Sequence, residues 1–347
     1  MITLGIETSC DETAASIYDG KKILSNVVLS QIEFHKEFGG VLPELAARRH
    51  YDHLLDVIDR ALLEANLSKS DIELISVASS PGLIGALLMG VNCAKALGFA
   101  LNIPVIGVNH VEAHLFANFI DYSEKITFPA LGLIISGGHT ALVLMKSMTE
   151  IHVLGATLDD AIGECFDKVA RMLNLPYPGG PEIERLANGG DPKSFSIRAP
   201  SVKGAPYNFS FSGLKTKVLY TLYGEGGRGE KSLIEPSQAR DLAACFQHAA
   251  FTSLLKACNR AIDEFGATSL LVGGGVSCSE TLRDFFEKKI NPKAAVFFPK
   301  KNLSLDNAAM IAALGFFRYQ ADGPSPEDFS ASPSSKKTSL TFCKDFS

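Results

Sequence analysis

His110 and His114 stand four residues apart in the run GVNHVEAHLFANF. On a helix that spacing puts both imidazoles on one face, with Cβ atoms roughly 6 Å apart. Two imidazoles so placed can converge on one metal ion. Val111 occupies the position that a metallopeptidase of the HExxH type gives to glutamate. Glu112 is two residues from each histidine and points off their face. The pair alone also fits a helix with two ordinary polar histidines, so a third ligand is needed. Asp306 is the best candidate, because it follows a strand and a short loop at or near a helix start. Its alternative role there is an N-cap. Two histidines and one carboxylate suit Fe(II) or Zn(II) and leave coordination positions open for a ligand.

Three glycine turns, Gly137-Gly138, Gly179-Gly180 and Gly273-Gly274-Gly275, follow strands or precede helices. Without a Cβ, such backbone lets N–H groups approach a phosphate, and a helix N-terminus adds positive potential. The P-loop pattern GxxxxGK[ST] is missing, and no GxGxxG follows the first strand. The turns therefore favour a nucleotide held by some other fold. Asp167, on a helix over 163–173, could accept hydrogen bonds from a ribose; its alternative is an ion pair with Lys168 or Arg171.

The elements around these residues repeat. Residues 2–6 read as a buried strand, 7–13 as a small polar turn and 14–18 as a returning strand. Asp19-Gly20 makes a hairpin signal before a third strand over 22–29. Residues 130–145 repeat the unit: strand, Ser136-Gly137-Gly138-His139-Thr140 turn, strand. Helices are predicted over 44–66, 86–101, from 110 onward, from Pro181, over 236–265 and up to about 319. This pattern predicts an internally duplicated α/β core around a central cleft. The N-terminal lobe would span 1–129. The C-terminal lobe would span 130–320 with a helical insertion over about 163–250, and 321–347 would be a mobile tail rich in Pro, Ser and Lys.

The 347 residues are 46% hydrophobic and carry a net charge of -5, so no global basic surface for nucleic acid is present. Arg48, Arg49 and His50 make the clearest local basic cluster. Seven cysteines without a CxxC pair read as free thiols in a reducing compartment. The acidic N-terminal run lacks a secretory pattern, and Lys95, Asn102 and Pro104 interrupt the most apolar stretch. A cytoplasmic protein without a membrane span is expected.

Ten ordered blocks then identify a resemblance. They include GIETSCDETAAS at 5–16, GGVLPELAARRH at 39–50, SPGLIGALLMG at 80–90, NHVEAH at 109–114 and ISGGHT at 135–140. GECFDKVAR at 163–171, PYPGGPEIE at 176–184, NFSFSGLKT at 208–216, GGVS at 274–277 and DNAAMIA at 306–312 complete them. The chain resembles the bacterial tRNA N6-adenosine threonylcarbamoyltransferases, the TsaD family. The resemblance implies an actin-like, sugar-kinase-like ATPase fold of two related lobes. It implies threonylcarbamoyl transfer from threonylcarbamoyl-AMP to N6 of the adenosine beside the anticodon, with AMP released. It also implies an adenine nucleotide in the cleft (threonylcarbamoyl-AMP, ATP or ADP). As partners it implies tRNA, a TsaB-like protein in a heterodimer and, transiently, a TsaE-like ATPase, with the adenylate supplied by a separate synthase.

By position, His110, His114 and Asp306 match the family's metal ligands. Ile134, Ile135, Ser136, Gly137 and Gly138 match its substrate loop, and Asp167, Gly180 and Glu184 match residues around the adenosine. Asp11 and Glu12 match the acidic pair of the first loop. Ser279 stands where the family has an asparagine against the ligand, which predicts a longer or water-mediated contact. Backbone N–H groups of Ser136, Gly137 and Gly138 are candidate donors to developing negative charge. His139 is a candidate proton shuttle or loop-orienting residue, and Asp11 a candidate base.

Overall fold

The computed structural model describes residues 1–36, 38, 41–198, 201–225, 233–334 and 341–342. Gly39 and Gly40 of the second motif lie outside them. Two compact units emerge, one of Met1–Ile126, Ser147–Ile151 and Pro299–Thr341, the other of Thr127–Lys146, His152–Phe298 and Phe342–Ser347.

The first unit opens with β1 (Thr3–Glu7), β2 (Glu12–Tyr18) and β3 (Ile23–Ser30), then α1 (Ile32–Lys36) and α2 (Pro43–Glu64). It continues with β4 (Leu74–Ser80), α3 (Ile84–Leu101), β5 (Val105–Asn109) and α4 (His110–Tyr122). The second unit holds β6 (Ala130–Ile135), β7 (Thr140–Met145), β8 (Ile151–Ala156), α5 (Ile162–Met172), α6 (Gly179–Ala187) and α7 (Ser212–Tyr223). It ends with α8 (Ala239–Phe265), β9 (Ser269–Gly273), α9 (Glu280–Lys289) and β10 (Ala295–Phe297). The chain then returns to the first unit through α10 (Lys301–Ser304) and α11 (Ala308–Asp322).

The sheets share one topology, as the repeated strand–turn–strand pattern predicts. In the first, the order is β3-β2-β1-β4-β5; β1 pairs antiparallel with β2 and parallel with β4, and β4 pairs parallel with β5. The second has six strands, and its run β8-β7-β6-β9-β10 repeats that order, with β6 antiparallel to β7 and parallel to β9, β9 parallel to β10, and a short sixth strand, β11 (Thr341–Phe342), added beside β8. The strand β8, with alternating buried and half-buried residues, was not read from the sequence. Strands β1, β4 and β6 are buried throughout, because helices cover both faces of a sheet containing parallel strands. In such sheets ligands bind beyond the carboxyl ends of the strands.

Two glycines seat α11 on the first sheet. A Cβ at Gly5 would lie 2.3 Å from the Ala308 carbonyl oxygen, and one at Gly315 would lie 2.1 Å from Ser76 Oγ. Ser76 Oγ donates to the Ile311 carbonyl at 2.7 Å. This close approach corrects the boundaries drawn from sequence. The helix assigned to a lobe over 130–320 packs on β1, β2, β4 and α4 of the first unit.

The expected mobile tail is also corrected. Ala321 and Asp322 complete α11. Beyond them, the Ser325 N–H donates to the Val105 carbonyl at 3.2 Å, and the Ser332 N–H to the Ser79 carbonyl at 2.8 Å. Lys95 Nζ lies 4.5 Å over the Phe329 ring. These contacts strap the segment over β5, the edge strand, where unpaired backbone groups need cover. Residues 335–340 and 343–347 lie outside the described residues. Helix α3 is long and apolar enough to cross a membrane by length and composition. It packs instead against β4 and α2 with Gly90 on Thr8, and leaves Ile84, Leu88 and Phe99 exposed. The six described cysteines are free thiols.

Candidate active site

Strand β5 ends at Asn109, whose side chain accepts from the N–H groups of Val111 at 2.8 Å and Glu112 at 3.0 Å. This N-cap starts α4 at His110 and puts both histidines in its first turns. Asp306 precedes α11, but the cap of that helix is Asn307, which accepts from the Met310 N–H at 3.1 Å. Asp306 is thereby spared the capping role. Its Oδ1 lies 3.3 Å from His114 Nε2 and its Oδ2 3.6 Å from His110 Nε2. One ligand atom from each of the three side chains falls within 4.8 Å of the others.

His114 is buried, yet neither ring nitrogen makes a hydrogen bond to any of the described residues. A buried polar atom without a partner costs roughly 1–3 kcal/mol. A divalent cation held by His110, His114 and Asp306 would satisfy Nε2 and relieve that part of the cost, so the residues present fit a single divalent metal ion. His110 Nδ1 lies 2.7 Å from Glu7 Oε2 and 3.1 Å from Ser9 Oγ. The other Glu7 oxygen accepts from the Ser9 N–H. A carboxylate on Nδ1 holds a proton there and orients the ring so that Nε2 is the nitrogen turned toward Asp306. Burial opposes a charge on His110, but Glu7 and Asp306 outweigh it and raise the imidazole to about 9. Glu12 is pushed up to about 10, first by burial and then by the charges of Asp306 and Asp11. Crowded carboxylates of this kind are what a dication relieves.

His50 was read as part of a basic cluster, and the structure corrects this. It is fully buried, with Nδ1 2.8 Å from Thr13 Oγ1 and Nε2 3.0 Å from the Cys10 carbonyl, so it braces the turn that carries Asp11 and Glu12. Arg49 stacks 4.1 Å over the Phe34 ring. Arg48 alone of the three is an exposed cation.

In the second unit the turn after β6 is closed by the Ser136 N–H, which donates to the His139 carbonyl at 2.8 Å. Ser136 is therefore removed from the three backbone donors expected from sequence. A Cβ added at Gly137 or Gly138 would meet nothing within 4 Å, so space is open on the side of both where a side chain would stand, while a Cβ at Gly163 would lie 3.0 Å from the Gly137 nitrogen. Ile134 and Ile135 are buried in β6, and His139 is exposed on the turn. Gly274, at φ +98, brings the end of β9 against Ile135, where a Cβ would lie 2.4 Å from the carbonyl oxygen.

Asp167 Oδ1 accepts from the Gly179 N–H at 2.7 Å, which starts α6 two residues before the expected Pro181. Burial raises the Asp167 carboxyl above its usual range. Lys168 pairs with Asp160 and Glu164, both at 2.7 Å. Gly180 faces open space. Ser279 caps α9, accepting from the Leu282 N–H at 3.1 Å, and donates to Glu184 Oε1 at 3.0 Å. The same Glu184 oxygen accepts from the Thr281 N–H at 2.7 Å. Ser279 and Glu184 thus bind each other.

The sequence model of the tRNA N6-adenosine threonylcarbamoyltransferases, TsaD, matches residues 22–313. A tRNA N6-adenosine threonylcarbamoyltransferase of Protochlamydia amoebophila (strain UWE25) is 53% identical over 326 residues, covering 94% of this chain and 95% of its own. The chain belongs to the TsaD family. Its reaction is threonylcarbamoyl transfer to a tRNA adenosine near the anticodon. Solved structures support the fold alone. HypF of T. kodakarensis superposes with a TM-score of 0.64 at 13% identity over 94% of this chain, which spans about half (49%) of that one. The ROK hexokinase of Thermus thermophilus superposes at 0.50 and 15% identity, over 92% of this chain and 100% of its own. The fold is the actin-like, sugar-kinase-like α/β fold with two related units.

For this threonylcarbamoyltransferase, the sequence singled out the three side chains that converge, His110, His114 and Asp306. It missed Glu7, Ser9 and the bracing role of His50. The available signal for Glu7 was a carboxylate at the carboxyl end of a buried strand, the one charged residue in TLGIE.

Proposed function

We propose that this family member takes the threonylcarbamoyl group from threonylcarbamoyl-AMP and places it on N6 of the adenosine beside the anticodon, in tRNAs reading codons that begin with A. The observation that carries the reading is the convergence of His110, His114 and Asp306 around a buried imidazole with no hydrogen bond. The donor is a mixed carbamic–phosphoric anhydride, so its carbonyl is already activated. N6 attacks that carbonyl carbon, the bond to the phosphate oxygen breaks, AMP departs with the electron pair, and N6 gives up a proton. No covalent enzyme intermediate is required; the enzyme's work is positioning and charge stabilisation.

We assign donor phosphate contacts to the Gly137 and Gly138 N–H groups, supported by the open space at both. Gly180 and the second Asp167 oxygen are assigned to the adenosine, since the first oxygen is committed to Gly179. Ser279 is assigned to holding Glu184 and not to the nucleotide. Asp11 is assigned the N6 proton, with Glu12 beside it; His139 is assigned, separately, to proton transfer or to orienting its own loop. Held by His110, His114 and Asp306, Fe(II) or Zn(II) would supply Lewis acidity and positive charge. ATP or ADP would occupy the same nucleotide subsite as the donor.

The TsaB-like partner is assigned to the apolar side chains exposed on α2 and α3: Tyr51, Leu55 and Leu63, and Ile84, Leu88 and Phe99. Large apolar side chains left exposed on two helices that pack on each other favour a protein interface. A net charge of -5 supports sharing the tRNA-binding task with partners, including a transient TsaE-like ATPase, in the cytoplasm.

Mass spectrometry of tRNA nucleosides tests the reading, using purified protein, its partners, synthetic threonylcarbamoyl adenylate and unmodified tRNA. Threonylcarbamoyladenosine is expected with the native chain and lost, together with bound metal, in His110→Ala. Full activity with stoichiometric metal in that variant would overturn the ligand assignment. No product from folded, metal-loaded protein with its partners would overturn the reaction.

A further inference from the structure

Glu112 is buried on the face of α4 opposite the histidines. Its carboxylate pairs with Arg318 Nη2 of α11, with side-chain exposures of 2% and 12%. Arg318 Nη1 also donates to the Thr149 carbonyl at 3.0 Å and lies 3.8 Å from Asp322 Oδ2. A buried ion pair contributes little net stability, because desolvation offsets most of the attraction. Its best-attested use is to fix register between packed elements. The elements joined here carry the metal ligands: α4 begins with the histidines, and α11 starts two residues after Asp306. Elsewhere the helices meet through apolar groups such as Phe116 and Phe119 against Phe317, which attract without direction.

We propose that the Glu112–Arg318 pair is a positioning clamp for the metal centre. It sets the axial and rotational register of α4 on α11, and so the distance of both imidazoles from Asp306. Neither residue belongs to the converging set of His110, His114 and Asp306. The tolerance is small: metal–ligand distances hold to within roughly 0.2 Å, whereas one residue of helix slip is about 1.5 Å. The inference rests on the metal reading of the site.

The test is the double substitution Glu112→Gln with Arg318→Met. Removing both charges together leaves neither stranded. The pair lines a cavity of about 480 Å³ with Val108, Leu314 and Pro324, which gives methionine room. Metal-free wild type and variant are expected to melt alike. Zn2+ and Fe2+ dissociation constants, from chelator competition, are expected to rise at least about tenfold. The visible spectrum of the Co2+-substituted protein should change in intensity as the ligand geometry distorts. Arg318→Lys keeps the charge but loses the planar fork, so it should weaken binding by a smaller factor. If the double variant fails to fold, Arg318→Lys decides. Binding within about twofold of wild type and an unchanged Co2+ spectrum would overturn the clamp and leave the metal centre standing. Wild-type protein that binds no divalent metal would overturn both.

Discussion

Gly5→Ala adds one methyl group in the middle of β1. The new Cβ would stand 2.3 Å from the Ala308 carbonyl oxygen and 2.8 Å from both the Cβ and the backbone nitrogen of Ala312. Ordinary contact begins near 3.4 Å, so the first turn of α11 must withdraw by roughly 1 Å in an interior with no slack. Asp306 lies just before that turn and would move with it. If β1 yields instead, Glu7 moves away from His110, two residues further along the same strand. Either route exceeds the roughly 0.2 Å a metal–ligand distance tolerates. The expected result is a metal dissociation constant raised at least about tenfold. Overpacking should also cost about 1–3 kcal/mol, a fall of roughly 3–10 °C in the melting of the first unit. Calorimetry and chelator competition on the same preparation measure both. Gly138→Ala is the control, since its Cβ meets nothing within 4 Å; it should leave melting and metal affinity unchanged. Wild-type melting and metal binding in Gly5→Ala would refute the argument that this glycine seats α11 and, through it, the carboxylate ligand.

Glu7→Gln keeps an acceptor for the His110 Nδ1–H but removes its charge; metal affinity measured by competition should drop about 10- to 100-fold, and an unchanged value would deny Glu7 its orienting role. Gly180→Ala should fold as stably as wild type while raising KM for the adenylate donor several-fold, because the methyl enters open space on the ligand side; an unaltered KM would remove Gly180 from the nucleotide subsite. Burial holds the His50 imidazole below its usual range. The unfolded chain therefore binds more protons below about pH 6.5, and this part of the stability is complete above that pH and lost as pH falls toward the folded value, by at most about 1.4 kcal/mol per pH unit. Melting curves from pH 5 to 7 should show this slope in wild type and a shallower one in His50→Gln; parallel curves would mean His50 titrates normally.

Much of the site was legible because it is written in short-range patterns. The i, i+4 spacing of His110 and His114 needs only a helix, and the strand–turn–strand units at 1–18 and 130–145 announce the duplicated sheets by repetition. Asp306 was legible as a carboxylate beside a helix start, but its freedom to bind metal was not, because the cap fell to Asn307. Gly137, Gly138 and Gly180 leave open the space where a side chain would stand, whereas the engagement of Ser136 with His139 and of Ser279 with Glu184 depends on exact local closure.

The sequence by itself determined the repeated strand–turn–strand units, the histidine and carboxylate types of the metal ligands and the family, since each rests on residue type and local spacing. Only the tertiary structure decided what holds those ligands in place. Glu7 reaches His110 across 103 residues, and Arg318 reaches Glu112 across 206. Placement of α11 on the first sheet depends on two glycines, Gly5 and Gly315, that carry no signal of their own. Such contacts join side chains whose partners are chosen by close packing in three dimensions, and close packing has no counterpart in the periodicity of a chain.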